Sequence, residues 1–114
     1  MNNETQPSSA YIFIRKQNIL HRIHYDEIRY IQAEGNYCYF ITSKGGKYTS
    51  KISLKQLVLS LPDDQFVRIH KSYVLNFYHL LKIDTKERLA YVGEAALPVG
   101  RTFLNQLTDR VLII

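Results

Sequence analysis

Apolar residues in this chain recur with a period of two along short runs, and each run is cut off by a turn signal. Tyr11 to Arg15, Ile19 to His24, Ile28 to Ala33, Tyr37 to Thr42 and Lys47 to Lys51 alternate in the first half. Lys16 to Asn18, Glu34-Gly35-Asn36 and Lys44-Gly45-Gly46 punctuate them with the residue types that tight turns need. In Ile28 to Ala33, Ile28, Tyr30 and Gln32 are expected to oppose Arg29, Ile31 and Ala33. Runs this short find hydrogen-bonding partners only through neighbours returned by tight turns, so the first half is expected to be an antiparallel meander. Phe66 to His70 follows a turn at Asp63-Asp64, and Leu80 to Asp84 with Arg88 to Val92 form a hairpin around Thr85-Lys86-Glu87.

One stretch departs from this habit. Leu54, Leu57, Val58 and Leu61 recur at i, i+3, i+4 and i+7 behind Ser53, a natural N-cap, and ahead of Pro62, which stops the element. Leu97 to Gly100 is expected to be extended. Thr102 is then expected to cap a closing helix whose apolar stripe is Phe103, Leu104, Leu107 and Val111. The fold class is mainly β, with short antiparallel sheets and one or two short helices.

The stretch VRIHKSYVLN, residues 67 to 76, breaks the alternation in its middle. Val67 and Ile69 oppose Arg68 and His70, the phase is lost at Lys71 and Ser72, and Tyr73, Val74 and Leu75 follow as three apolar residues in a row. A packed strand has no need of a cation, a hydroxyl and an imidazole where its period fails.

At 114 residues, 46% of them hydrophobic, the chain suits one domain. Met1 to Ala10 has neither period and contains Pro7, so residues 1 to 10 are expected to be a disordered lead or linker and residues 11 to 114 the folded domain. The apolar runs fall short of the roughly 20 residues of a membrane helix and no signal peptide opens the chain, which points to a soluble, cytoplasmic protein with no membrane partner. Cys38 is the single cysteine and has no internal disulfide partner.

The formal net charge is +5, and its distribution matters more than its size. Gly35 through Leu61 contains no acid but holds Lys44, Lys47, Lys51 and Lys55, and Gln65 through Ile83 contains no acid but holds Arg68, Lys71 and Lys82. A solvated surface accounts for such windows, and so does a polyanion footprint in which cations displace the counterions of phosphates.

No catalytic constellation emerges. His21 and His24 stand three apart on a strand and face opposite sides, so they cannot share an ion, and no CxxC or HExxH occurs. Cys38 with His70 as base lacks an activating environment in the sequence. Gly45-Gly46 lacks the spacing of a phosphate-cradling loop. No enzyme activity, metal or cofactor is expected. Tyr37 and Tyr39 share one face of their strand, where they would pack across strands or stack on unpaired bases.

In combination these features resemble a LytTR-type DNA-binding domain, the output module of bacterial response regulators. The resemblance rests on IRYIQAEGNYCYF at 28 to 40, SLKQL at 53 to 57, FVRIHKSYVLN at 66 to 76 and LPVGRTF at 97 to 103, and covers nearly everything from Tyr11 onward. The 66 to 76 stretch, with Arg68, His70, Ser72 and Asn76 at the family's spacing, is the specific part. The resemblance implies short antiparallel sheets carrying loops that enter successive major grooves of double-stranded DNA, as two copies on direct repeats and with some bending of the duplex. It also implies a two-component transcription regulator with a receiver domain upstream, and nothing in this sequence resembles a receiver.

Carried over by position, the resemblance assigns base contacts to Asn36, Tyr37, Tyr39, Lys71 and Arg101, and backbone contacts to Arg68, Ser72 and His70. Lys51 and Lys55, near and on the short helix, would add nonspecific affinity. Chemistry agrees with this division. Arg101 offers a bidentate fork to guanine O6 and N7. Lys71 is a flexible point charge, and Ser72 suits a phosphate through its hydroxyl and its turn N–H. Arg68 is alternatively expected to pair with Asp63 or Asp64, His70 to shape its loop and Asn76 to cap or turn the chain. Where the family often has a cation or His, this chain has Tyr37 and Cys38, and Tyr suits a phosphate or a thymine methyl. The alternative function is a single-stranded RNA-binding or protein-interaction β module using the Tyr37/Tyr39 face.

Overall fold

The computed structural model describes residues 10–114, so the expected lead over residues 1 to 10 lies outside the described residues except for Ala10. Ten strands form three antiparallel sheets. Strands β1 (Tyr11–Lys16) and β2 (Ile19–His24) make a hairpin of their own, so the meander expected of the first half is interrupted between β2 and the strand that follows, which pairs elsewhere. The central sheet has the order β5-β4-β3-β7-β6, from β3 (Ile28–Glu34), β4 (Tyr37–Thr42), β5 (Lys47–Ser50), β6 (Phe66–His70) and β7 (Tyr73–Asn76). Strands β8 (Leu80–Asp84), β9 (Leu89–Val92) and β10 (Ala95–Pro98) make the third sheet.

Around β3, β6 and β7 the central sheet is covered on both faces, which explains why these strands carry apolar residues in both phases. On one face Ile31, Phe40, Phe66 and Val74 pack with Ile14 and Ile23 of the β1–β2 hairpin and with Leu54 and Leu57 of α1 (Leu54–Ser60). On the other face Val67, Ile69 and Leu75 pack with Ala90, Val92 and Leu97 of the third sheet and with Leu107 of α2 (Leu104–Thr108). Helix α1 begins as its sequence predicts, with Ser53 Oγ accepting the Gln56 N–H at 3.1 Å.

Two expectations fail, and one strand goes unforeseen, each through pairing with a neighbouring strand. Strict alternation over Ile28 to Ala33 is broken because the β3–β4 register shifts between Ile28 and Tyr30. A bulge at Arg29 puts Ile28 and Ile31 into the same core and turns Tyr30 toward the other. Thr102 caps no helix: residues Arg101–Phe103 close a 3-10 turn through the Phe103 N–H to Gly100 carbonyl bond of 2.8 Å, so α2 starts only at Leu104 and Val111 falls beyond its end. The unforeseen strand is Tyr73–Asn76, which the periodicity leaves unassigned. It is strand β7, paired to β3 on one side and to β6 on the other, and Lys71-Ser72 is the two-residue turn that leads into it.

Asn76 is fully buried and fixes the far end of β7. Its Nδ2 donates to the carbonyls of Tyr25 at 2.9 Å and Ile28 at 2.8 Å, while its Oδ1 accepts the Tyr78 N–H at 2.9 Å and caps the 3-10 turn Phe77–His79. The capping and turning role read from sequence is thus made by one amide that joins three segments. Among the described residues no helix is long and apolar enough to cross a membrane.

Candidate nucleic-acid interface

Antiparallel pairing decides which loops meet. Strands β3 and β6 end, and β4 and β7 begin, at the same end of the central sheet, so the turns at residues 35 to 36 and 71 to 72 are neighbours there. Gly35 opens the first turn with φ +61, a backbone that glycine adopts without strain, and Asn36 follows it exposed to solvent. The Ala33 N–H donates to the Ser72 carbonyl at 2.8 Å, extending the β3–β7 ladder up to the 71 to 72 turn.

The third component comes from the other side. The Gly100 N–H donates to the Ile69 carbonyl at 2.7 Å, docking the chain after β10 against the end of β6. A Cβ at Gly100 would lie 2.9 Å from Phe103 Cδ2, so any larger residue there forces the Phe103 ring to shift, while the backbone of β6 at His70 Cα stays at an ordinary 3.8 Å. Arg101, the next residue, is exposed beside the turn that carries Lys71. Asn36, Lys71 and Arg101 are therefore brought to one end of one sheet by three different connections. Asp26, Glu27, Asp63 and Asp64 lie at the opposite end, before β3 and before β6, and Glu34 is an acid at the near end.

Within the 71 to 72 turn the side chains bond to the backbone. Arg68 Nε donates to the His70 carbonyl at 3.2 Å and its Nη2 donates to the Lys71 carbonyl, so the guanidinium braces the turn rather than pairing with Asp63 or Asp64. His70 Nδ1 accepts the Ser72 N–H at 3.0 Å. That bond requires a lone pair on Nδ1 and makes Nε2 the ring donor. It also corrects one expectation, because the Ser72 N–H is used inside the loop and only the Ser72 hydroxyl is available to an outside group. Lys71 projects from this brace as an exposed cation.

Tyr37 and Tyr39 lie on the same face of β4, opposite Glu34 and Gln32 of β3. Tyr37 is at the loop end and 44% exposed; Tyr39 is half-buried with Lys47 Nζ 5.0 Å from its ring centroid, a cation–π contact. Lys51 follows β5 and lines a shallow surface depression with Asn36 and Ser53, so it joins the same end, and Lys55 is exposed on the first turn of α1. Arg15 and Lys16 are cations that sequence reasoning passed over. The structure lays them against β5 from far away in the chain, a neighbourhood that no local pattern signals.

Cys38 is buried at the core of β4 with Sγ 3.2 Å from the Ile52 carbonyl. Burial pushes its thiol up, against a smaller opposing pull from the Arg68 charge, which is the reverse of what an activated nucleophile needs. His21 and His24 go to opposite faces of β2, His21 toward Tyr48 and His24 toward Tyr11. Among the described residues no three His, Cys, Asp or Glu side chains are grouped to hold a metal ion.

Comparison with known proteins gives two findings. Residues 18–111 match the family model described as the LytTr DNA-binding domain. The fold is similar to a solved structure, the LytTr DNA-binding domain of a protein described as a methyl-accepting/DNA response regulator from Bacillus cereus. The TM-score is 0.76 at 21% sequence identity, covering 89% of this chain and 95% of that one.

Proposed function

The chain belongs to the LytTr DNA-binding domain family, a family of response-regulator DNA-binding domains rather than of enzymes, and from that membership we propose that it is a sequence-specific reader of double-stranded DNA in a bacterial transcriptional regulator. The observation that carries this reading is the convergence of the turns bearing Asn36, Lys71 and Arg101 on one end of the central sheet. Arg101 reads guanine through its planar fork, Lys71 reaches a base edge or a phosphate, and Asn36 and Tyr37 contact a neighbouring groove edge. Tyr39 lies one step further along the same face.

Backbone positioning falls to the Ser72 hydroxyl, to Arg68 and His70 at the edge of the braced turn, to Lys51 beside the 35 to 36 turn and to Lys55 on α1. These contacts fix register and supply salt-dependent affinity without sequence information. The protein works in the cytoplasm without catalysis, under the control of a receiver domain that is not within this sequence, and two copies occupy direct repeats. Selection of bound duplexes from a random pool tests this: a recovered motif with repeats in the same orientation supports it, and a pool that stays random contradicts it.

A second reading has one observation in its favour. Tyr37 and Tyr39 stand on one face of β4 with Thr49 and Lys47 of β5 beside them, a half-face suited to stacking unpaired bases or to a protein partner. Binding to single-stranded RNA in preference to any duplex would select it.

A further inference from the structure

We propose that the β5 side of the domain is a second DNA-contacting surface, which takes the phosphate backbone of duplex flanking the bases read by the loops. This inference rests on the duplex-reading function above and extends it to residues outside the reading loops. Its basis is a continuous band of cations assembled from separate segments. Lys55 and Lys51 lie at the reading end, Lys47 begins β5, and Lys44 sits in the turn before it. Arg15 and Lys16 of β1 lie along the other wall of a cleft whose opposite wall is Lys47, Tyr48 and Thr49. All six cations are exposed.

From Lys51 to Lys47 the strand spans about 13 Å, so the band leads from the reading end down the side of the sheet to its far end. Two acids meet the far end of the band, Glu27 and Asp26, which line one depression with Lys44. The Glu27 carboxylate lies 3.9 Å from Lys44 and accepts the His24 N–H, and Asp26 accepts the Gln65 Nε2–H at 2.8 Å, so both are partly engaged within the chain. Charges of one sign along one side of the sheet, each on a flexible stem, fit a regular polyanion better than a patterned protein surface, and the run begins at the end proposed to read the bases. A duplex engaged by those loops reaches the band only by bending toward β5. The elastic cost of the bend is offset by the new ion pairs with phosphate and by the counterions they release. The band lies on one side of the sheet, so the contact is one-sided: flank on the β5 side binds, flank on the β6 side does not.

The test uses the duplex recovered by selection, in a core form and in two forms extended by about one helical turn on either flank. Wild-type protein is expected to bind one extended form several-fold more tightly than the core and with a steeper salt dependence. The triple variant Arg15→Gln, Lys16→Gln, Lys44→Gln, which spares the residues of the reading end and Lys47 against Tyr39, is expected to bind the core unchanged. It should lose the affinity added by the flank and flatten the log–log salt slope on the extended duplex by about 2 to 3. Hydroxyl-radical protection of that flank by the wild type, absent with the variant, supports the same conclusion. Equal affinity of the wild type for core and both extended duplexes overturns the inference, as does a variant that keeps the tighter binding to the extended form, and either result leaves the reading of the loops intact. Failure to bind the core duplex at all removes the duplex-reading function itself and this surface with it.

Discussion

His70 Nδ1 accepts the backbone N–H of Ser72 at 3.0 Å, so an imidazole closes from inside the turn that presents Lys71. Arg68 holds the same turn from the other side through the carbonyls of His70 and Lys71. Residues 68 to 72 thus form a self-braced unit in which one cation supports and the next is offered outward. Removing the imidazole by His70→Ala is expected to weaken duplex binding by about 1 kcal/mol, the net worth of one ordinary hydrogen bond. Protection of the Ser72 amide against hydrogen exchange should fall with it. Weaker binding with full Ser72 protection would show that the imidazole serves the phosphate contact alone and does not hold the turn.

Gly100 makes the matching prediction for the other loop. Its backbone is ordinary, so the constraint is space: an added methyl meets the Phe103 ring, which itself lies near the Arg68 guanidinium. Gly100→Ala should displace Arg101 from its place beside the 71 to 72 turn and reduce selectivity in competition binding between the selected duplex and random duplex. A mostly unchanged thermal midpoint separates this local effect from unfolding. Retained selectivity would show that Arg101 does not depend on the docking of Gly100 against β6.

Asn76 carries stability rather than recognition. Asn76→Ala leaves the buried carbonyls of Tyr25 and Ile28 and the Tyr78 N–H without the partner they share, and is expected to cost about 2 to 4 kcal/mol in chemical denaturation. The folded fraction should bind duplex normally. A loss below about 0.5 kcal/mol would mean that water replaces the amide.

Alkaline pH should loosen the fold. Burial raises the Cys38 thiol above its ordinary 9.0 and the phenols of Tyr25 and Tyr30 above their ordinary 10.0, with the Tyr73 phenol adding to the shift at Tyr30 and Arg29 opposing it. In that range the folded chain holds protons that the unfolded chain releases, so stability is full below the ordinary values and falls as pH rises through the raised ones. The denaturation midpoint is expected to drop steadily between about pH 8 and pH 11, and Cys38→Ala should delay the start of the drop. A midpoint that holds level across that interval would contradict the burial of these three groups.

What the sequence made legible follows from how local each signal is. The Gly35-Asn36 turn, the Lys44 to Gly46 turn and the Ser53 cap are decided by residues within a few positions of one another, and they are found where the pattern puts them. Strand β7 was missed because its identity is tertiary. Tyr73, Val74 and Leu75 are apolar in both phases since the strand is buried between two sheets, and no alternation survives to announce it. The bulge at Arg29 and the 3-10 turn at Arg101 depend likewise on a neighbouring strand: the β3–β4 register slips at the first, and β6 accepts the Gly100 N–H just before the second. The polar residues of the 66 to 76 stretch were legible as a group, but the engagement of the Ser72 N–H by His70 was not.

If three turns at one end of the central sheet read the bases of a duplex, Arg101 is the most discriminating contact among them. The comparison that decides it is between duplexes selected from a random pool by the wild type and by Arg101→Ala, with Lys51→Ala as the control for plain charge loss. A motif is expected for the wild type, and loss of preference at one position for Arg101→Ala at a cost of about 1 to 3 kcal/mol on the intact site. Lys51→Ala should keep the whole motif with a salt slope shallower by about 1. An Arg101→Ala protein that recovers the unaltered motif at undiminished affinity would contradict base reading by Arg101.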